Sequence, residues 1–116
     1  MEKPPFQRPP TEPDLEVEVD AAPTEDGGRR YPLFSGYRAP HDFGKPDEWN
    51  DAMYEFLNAE SLHPGETGRA LMWLFVPERN EGRLYTGMPF TVHEGSRLIG
   101  RGRITRVLKP ELERAV

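Results

Sequence analysis

Four apolar side chains at every second position, Leu15, Val17, Val19 and Ala21, alternate with Glu16, Glu18 and Asp20. That period of two belongs to a β-strand with one face buried and one in water; a helix would scatter the same residues around its circumference. The strand runs toward Gly27-Gly28. Paired glycines supply positive φ angles that other residues resist, so a reversal is predicted there. An apolar run from Tyr31 to Phe34 follows and breaks at Gly36, which predicts a first hairpin. With 13 prolines and 11 glycines in 116 residues, the chain is punctuated for many short strands, not long helices.

Residues 69–77 form the strongest further strand, apolar on both faces and therefore in need of cover on both sides. The Leu71/Trp73/Phe75 face is covered either by residues 41–62 folding over it or by a protein partner, and the first is favoured. Residues 47–57 read either as a helical turn capped by Asp47 or as a loop leading into a strand from Met53; the loop and strand are preferred. Short strands are predicted at 83–85 and 90–93. Glu94-Gly95-Ser96 then makes a tight reversal into a last strand over 97–108. Gly100 and Gly102 inside that strand mark a bulge or a close backbone contact. Residues 1–13 carry five prolines and one lone aromatic, Phe6, and are predicted to be a disordered proline-rich tail. The alternative for that tail is a ligand for a groove-binding partner. Residues 110–116 are predicted to fray, leaving one domain over 14–109.

The residue inventory excludes several function classes. With no cysteine, disulfide and thiolate chemistry are out, and a reducing cytoplasm is the expected location. No apolar run has membrane-spanning length, and the N-terminus lacks an apolar signal core. Gly44-Lys45-Pro46 has neither the glycine spacing nor the hydroxyl of a phosphate-binding loop, so no nucleotide is expected. His41, Asp42, His63 and His93 are scattered without metal-ligand spacing and are expected to be surface groups. Ser35, Ser61 and Ser96 lie in turns without a nucleophile elbow. No catalytic residue, metal or cofactor is expected. The net charge of −5 is uneven: residues 1–26 hold eight acids against two bases, and residues 97–116 six bases against two acids. The two ends either attract one another or serve different partners.

One stretch, Gly27-Gly28-Arg29-x-x-Pro32-x-Phe34-x-Gly36-Tyr37-Arg38, resembles the opening of the third, C-terminal β-barrel domain of bacterial elongation factor Tu. Three further pieces recur in the same order: His63-Pro64-Gly65-Glu66, the run from Phe90 through Glu94-Gly95-Ser96 to Arg97, and Leu98-Ile99-Gly100-Arg101-Gly102 continuing to Val107-Leu108. The match spans roughly residues 14 to 108. The resemblance implies an all-β fold, a compact antiparallel Greek-key barrel of about six strands. The GTPase activity of the whole factor belongs to its first domain and is not implied. In the resembled factor this domain contacts tRNA. The matching positions are Arg29, Arg30, Arg38, Glu94 and Gly95, with Pro40 standing where the family has a glutamine. Arg101 and Arg103 are additions relative to the family and extend the candidate RNA-binding set. The same domain meets an exchange factor and its own GTPase domain, so protein docking through Leu71, Trp73 and Phe75 is the alternative. The expected function is a non-catalytic binding module, for tRNA or other structured RNA in a translation-related role, or for a protein partner.

Overall fold

In the computed structural model, which describes residues 6–115, the period-two stretch forms β1 (Leu15–Ala21). Its apolar side chains are buried and its carboxylates face outward. Seven strands follow: β2 (Leu33–Phe34), β3 (Arg38–Asp42), β4 (Asn50–Phe56), β5 (Ser61–Leu62), β6 (Thr67–Leu74), β7 (Pro89–Glu94) and β8 (Arg97–Val107). Six close an antiparallel barrel in the order β1-β6-β4-β3-β7-β8, with β8 pairing back onto β1. The strands β3, β4 and β6 are successive neighbours, and β1 reaches the far side of β6 through the long connection 22–37. That is Greek-key connectivity.

The barrel interior is filled by the inward parity of each strand, including Val17 and Val19, Tyr54, Met72, Phe90 and Val92, and Ile104, with Phe43 beside them. Each such side chain contributes roughly 1.5–3 kcal/mol by leaving water. The close-contact expectation for β8 holds at Gly102. A Cβ there would overlap the Phe90 ring and stand 2.6 Å from the Glu18 carbonyl oxygen, so β1 and Phe90 approach β8 only because the side chain is missing.

Five expectations need correction. The first hairpin does not form, because β1 pairs with β6 and β8 while β2 pairs with β5. The connection after β1 does turn at Gly27 (φ 93°), but it then crosses the barrel end. There Leu33 and Leu62 gather with Ala21 and Ile99, a better use of two apolar residues than an edge pairing in water.

Residues 83–85 are not a strand, and the chain beyond 109 is not frayed. Leu84 and Leu112 are both buried. The Leu84 N–H donates to the Leu112 carbonyl at 2.9 Å, and the Arg114 N–H to the Leu84 carbonyl at 2.7 Å. A single 3-10 turn at Pro110–Leu112 delivers Leu112 to the core, so the domain extends past 109. The predicted tail is likewise packed from Phe6 onward, as described below; residues 1–5 lie outside the described residues. Finally, β4 starts at Asn50, three residues before the expected position, after a loop in which Asp47 takes a left-handed φ of 59° and caps no helix.

Candidate functional site

The cationic candidates divide among separate places. Since β1 lies between β6 and β8, its outward carboxylates meet arginines on both sides. Register sets Glu18 opposite Arg103 and Asp20 opposite Arg101. Arg103 Nη2 is 2.5 Å from Glu18 Oε1, and Arg69 Nη2 is 2.9 Å from Glu16 Oε2. The acidic beginning and basic end of the chain therefore attract one another. Arg101 has no ion-pair partner among the described residues and borders a 400 Å³ groove with Asp42, Gly44 and Thr91.

Arg29, Glu94 and Gly95 come together at the β7–β8 turn. Glu94 Oε2 accepts from Arg29 Nη1 at 3.0 Å and from the Tyr37 hydroxyl at 2.6 Å. The Arg29 guanidinium also lies 5.0 Å from the Tyr37 ring centre. Burial, and next the Glu94 carboxylate, push the Tyr37 hydroxyl pKa well up, so it stays a donor. This cluster ties the 28–30 segment to the turn, where Gly95 adopts φ 59°. Arg30 is exposed and has no ion-pair partner among the described residues. Arg38 belongs to another face: it pairs with Asp51 at 2.9 Å and lies over the Phe75 ring at 3.9 Å.

The apolar candidates form one surface on the outside of β4 and β6, and the chain's own N-terminal arm covers it. Trp73 is buried although it sits on the outer parity of β6. Its indole N–H donates to the Thr11 carbonyl at 2.8 Å. The Arg8 guanidinium is 5.8 Å from the same ring and 2.9 Å from Glu55 on β4. The Phe6 ring lies 6.4 Å from Trp73 and reaches over Gly36. Read from Thr11 back to Phe6, the arm crosses β6, then β4, then the turn before β3. The cover is therefore the arm and not residues 41–62. Gln7, Pro9 and Thr11 enclose a 440 Å³ groove with Met53, Trp73, Leu74 and Phe75, at whose end Phe75 remains 44% exposed. Leu71, on the same outer parity of β6 as Trp73, is half-buried and is not among the residues that line this groove.

The arm is held differently from the barrel. Backbone pairing begins at Asp14, whose N–H donates to Met72 at 2.9 Å. The buried Asp14 carboxylate accepts the Leu74 N–H at 2.7 Å and lies 3.1 Å from Lys109 Nζ, which fixes the arm's root. Among the described residues, 6–13 rely on side-chain contacts, chiefly Arg8 with Glu55 and the Trp73 indole with the Thr11 carbonyl. Sequence reasoning missed Phe6, Arg8 and Thr11. The available signal was Trp73 itself, since a buried indole needs an acceptor and the predicted strand offered none.

Two histidines expected at the surface are buried. His41 points into the barrel among Phe43, Tyr54 and Phe90, with ring centres 5.3–5.9 Å apart. The Ala39 carbonyl, 2.8 Å from Nδ1, can only accept, so Nδ1 carries the proton and Nε2 accepts from the Tyr54 hydroxyl at 2.5 Å. Burial lowers its pKa to about 4, against weaker opposing pulls from Ala39 and Asp51. His41 is thus a neutral core group. His93 is covered by Trp49, ring centres 3.9 Å apart, and its Nε2 meets Thr91 Oγ1 at 2.7 Å. His63 is exposed. Among the described residues no group of three or more His, Cys, Asp or Glu is placed to hold a metal ion, and no helix is long and apolar enough to cross a membrane. No protein-family model matches this chain.

Proposed function

We propose that this chain is a non-catalytic binding module that docks an extended segment of a protein partner on the outer face of β4 and β6. The observation that carries this reading is the arm: the face around Trp73, bordered by Met53 and Phe75, already holds an extended peptide by side-chain contacts. The RNA reading draws less support. Arg29, Arg38 and Arg103 are each paired with a carboxylate, and Arg38 stands on a different face from Arg101. Phosphate recognition needs cations free to replace counterions, grouped on one surface. Docking of a protein also agrees with the translation-related role that the resemblance implies, since the resembled domain meets protein partners.

The test uses the full chain with its arm loosened by Arg8→Glu, presented with a library of extended peptides and, separately, with duplex RNA. Saturable peptide binding that weakens only slightly with salt, as a single exposed arginine–Glu55 pair allows, and that is weakened by Phe75→Glu, which replaces an apolar wall of the groove with a carboxylate, is the expected result. Duplex RNA bound with a log–log salt slope of roughly −2 to −3, and no peptide bound, would move the function to the arginines.

A further inference from the structure

Resting on that docking reading, we infer that the β4/β6 groove takes a proline-containing extended segment bearing an aromatic and an arginine two residues apart, and that residues 6–13 are its resident ligand. The site is then open to a partner only when the arm lifts. The arm supplies the ligand chemistry directly, as Phe6-Gln7-Arg8-Pro9-Pro10-Thr11. Each element has a receptor. Phe6 packs beside Trp73 and Gly36, Arg8 meets the Glu55 carboxylate and the Trp73 ring, Pro9 lines the groove, and the Thr11 carbonyl accepts the indole N–H.

Two features of the fold select this class of ligand. The six-stranded barrel is closed, so an incoming peptide finds no free strand edge among those strands to extend. Recognition of an extended chain must then work through side chains and isolated carbonyls. That suits a polyproline-type segment, which is already extended and loses little entropy on docking. At about 3.1 Å per residue, five steps from Phe6 to Thr11 span roughly 16 Å. Crossing from β6 through β4 to the edge of β3 takes about 10 Å at the usual strand spacing, leaving length for the Gly36 turn.

The second feature is the arm's separable attachment. Among the described residues no ladder hydrogen bond has to break for residues 6–13 to lift, because backbone pairing starts at Asp14 and that residue is pinned by Leu74 and Lys109. A short tether holds its ligand at an effective concentration on the order of millimolar. Against a peptide of roughly 100 μM affinity, the docked arm would therefore weaken apparent binding about tenfold or more.

The experiment measures fluorescence anisotropy of a labelled synthetic peptide with the sequence of residues 1–13. It is titrated with the full wild-type chain and with the full-length double variant Phe6→Ser/Arg8→Glu, each first checked for a cooperative melt. The double variant is expected to bind at least tenfold tighter than wild type. Trp73→Phe in that background keeps the ring but removes the donor, and is expected to weaken binding about 2- to 12-fold. A peptide carrying Arg8→Glu should bind more weakly to a full-length Phe6→Ser/Arg8→Ala chain, whose arm has no charge left to re-pair, and recover when Glu55→Arg is added to that chain. Equal binding of proline-free peptides would overturn the ligand class while leaving protein docking standing. Equal affinity of wild type and double variant would overturn the resident-ligand role. Binding of no peptide of any kind would remove the docking reading itself, and a wild-type dimer that dissociates when the arm is loosened would show that the arm serves a second copy instead.

Discussion

Taking the protein from pH 7.5 to pH 5.0 charges His41 in the unfolded chain but not in the folded one. Its folded pKa is held near 4 by burial, against an ordinary value of 6.5. Between those two values the unfolded state binds more protons, so stability falls as the pH falls. The full gap is worth about 3 kcal/mol, and between pH 7.5 and 5.0 about 2 kcal/mol of it is lost. Urea melts at constant ionic strength across this range are the assay. The control is the double variant His41→Phe/Tyr54→Phe, which removes both members of the buried pair at near-constant shape. Removing only His41 would leave the Tyr54 hydroxyl without its acceptor and cost about 1–3 kcal/mol for a separate reason. The double variant is expected to lose most of the slope above pH 5, where ordinary carboxylates remain largely ionised. A wild-type change below about 0.5 kcal/mol, or an unaltered slope in the double variant, would refute a neutral histidine in the barrel.

Leu112→Ala should cost about 2–5 kcal/mol in denaturant melts, whereas a frayed terminus would show no change. Gly102→Ala should destabilise by about 1–3 kcal/mol through collision with Phe90 and the Glu18 carbonyl, and an unaltered melting midpoint would mean that β1 is not so close. Arg101→Glu with Arg103→Glu is expected to destabilise by about 1–2 kcal/mol, because it breaks the Arg103–Glu18 pair and sets two glutamates opposite Glu18 and Asp20. The unaltered chain should give no saturable duplex RNA binding even at about 50 mM salt, where electrostatic attraction is strong; binding there that this double change abolishes would restore the RNA reading.

What the sequence disclosed was parity, and what it concealed was adjacency. Alternation along Leu15 to Ala21 told which side chains turn inward, and the Glu94-Gly95-Ser96 reversal joined two true neighbours, β7 and β8. Nothing in a period of two says which strand lies alongside. The pairing of β1 with β8, and with it the mutual neutralisation of Glu18 and Arg103, was therefore invisible. The arm escaped notice for a related reason. Its prolines read as an absence of structure because they cannot join a ladder, yet a surface already supplied with Trp73 and Glu55 asks for no ladder. The burial of His41 was hidden because its donor, Tyr54, becomes a partner only once β3 and β4 pair.

The seam between β1 and β8 also has a consequence for how the protein is made. As the chain emerges from a ribosome, β1 appears first of the barrel strands, yet its neighbours come at residues 67–74 and 97–107. Through most of synthesis β1 has no partner on at least one side, and a solitary apolar strand is a template for aggregation. Glu16, Glu18 and Asp20 then act before Arg69 and Arg103, the partners of Glu16 and Glu18, have been made, as like charges that keep nascent chains apart. When β8 arrives it must insert between β1 and β7, and Arg103 turns the repulsion at Glu18 into attraction. The keystone of the barrel is the last of its strands in sequence, and the fold waits for it.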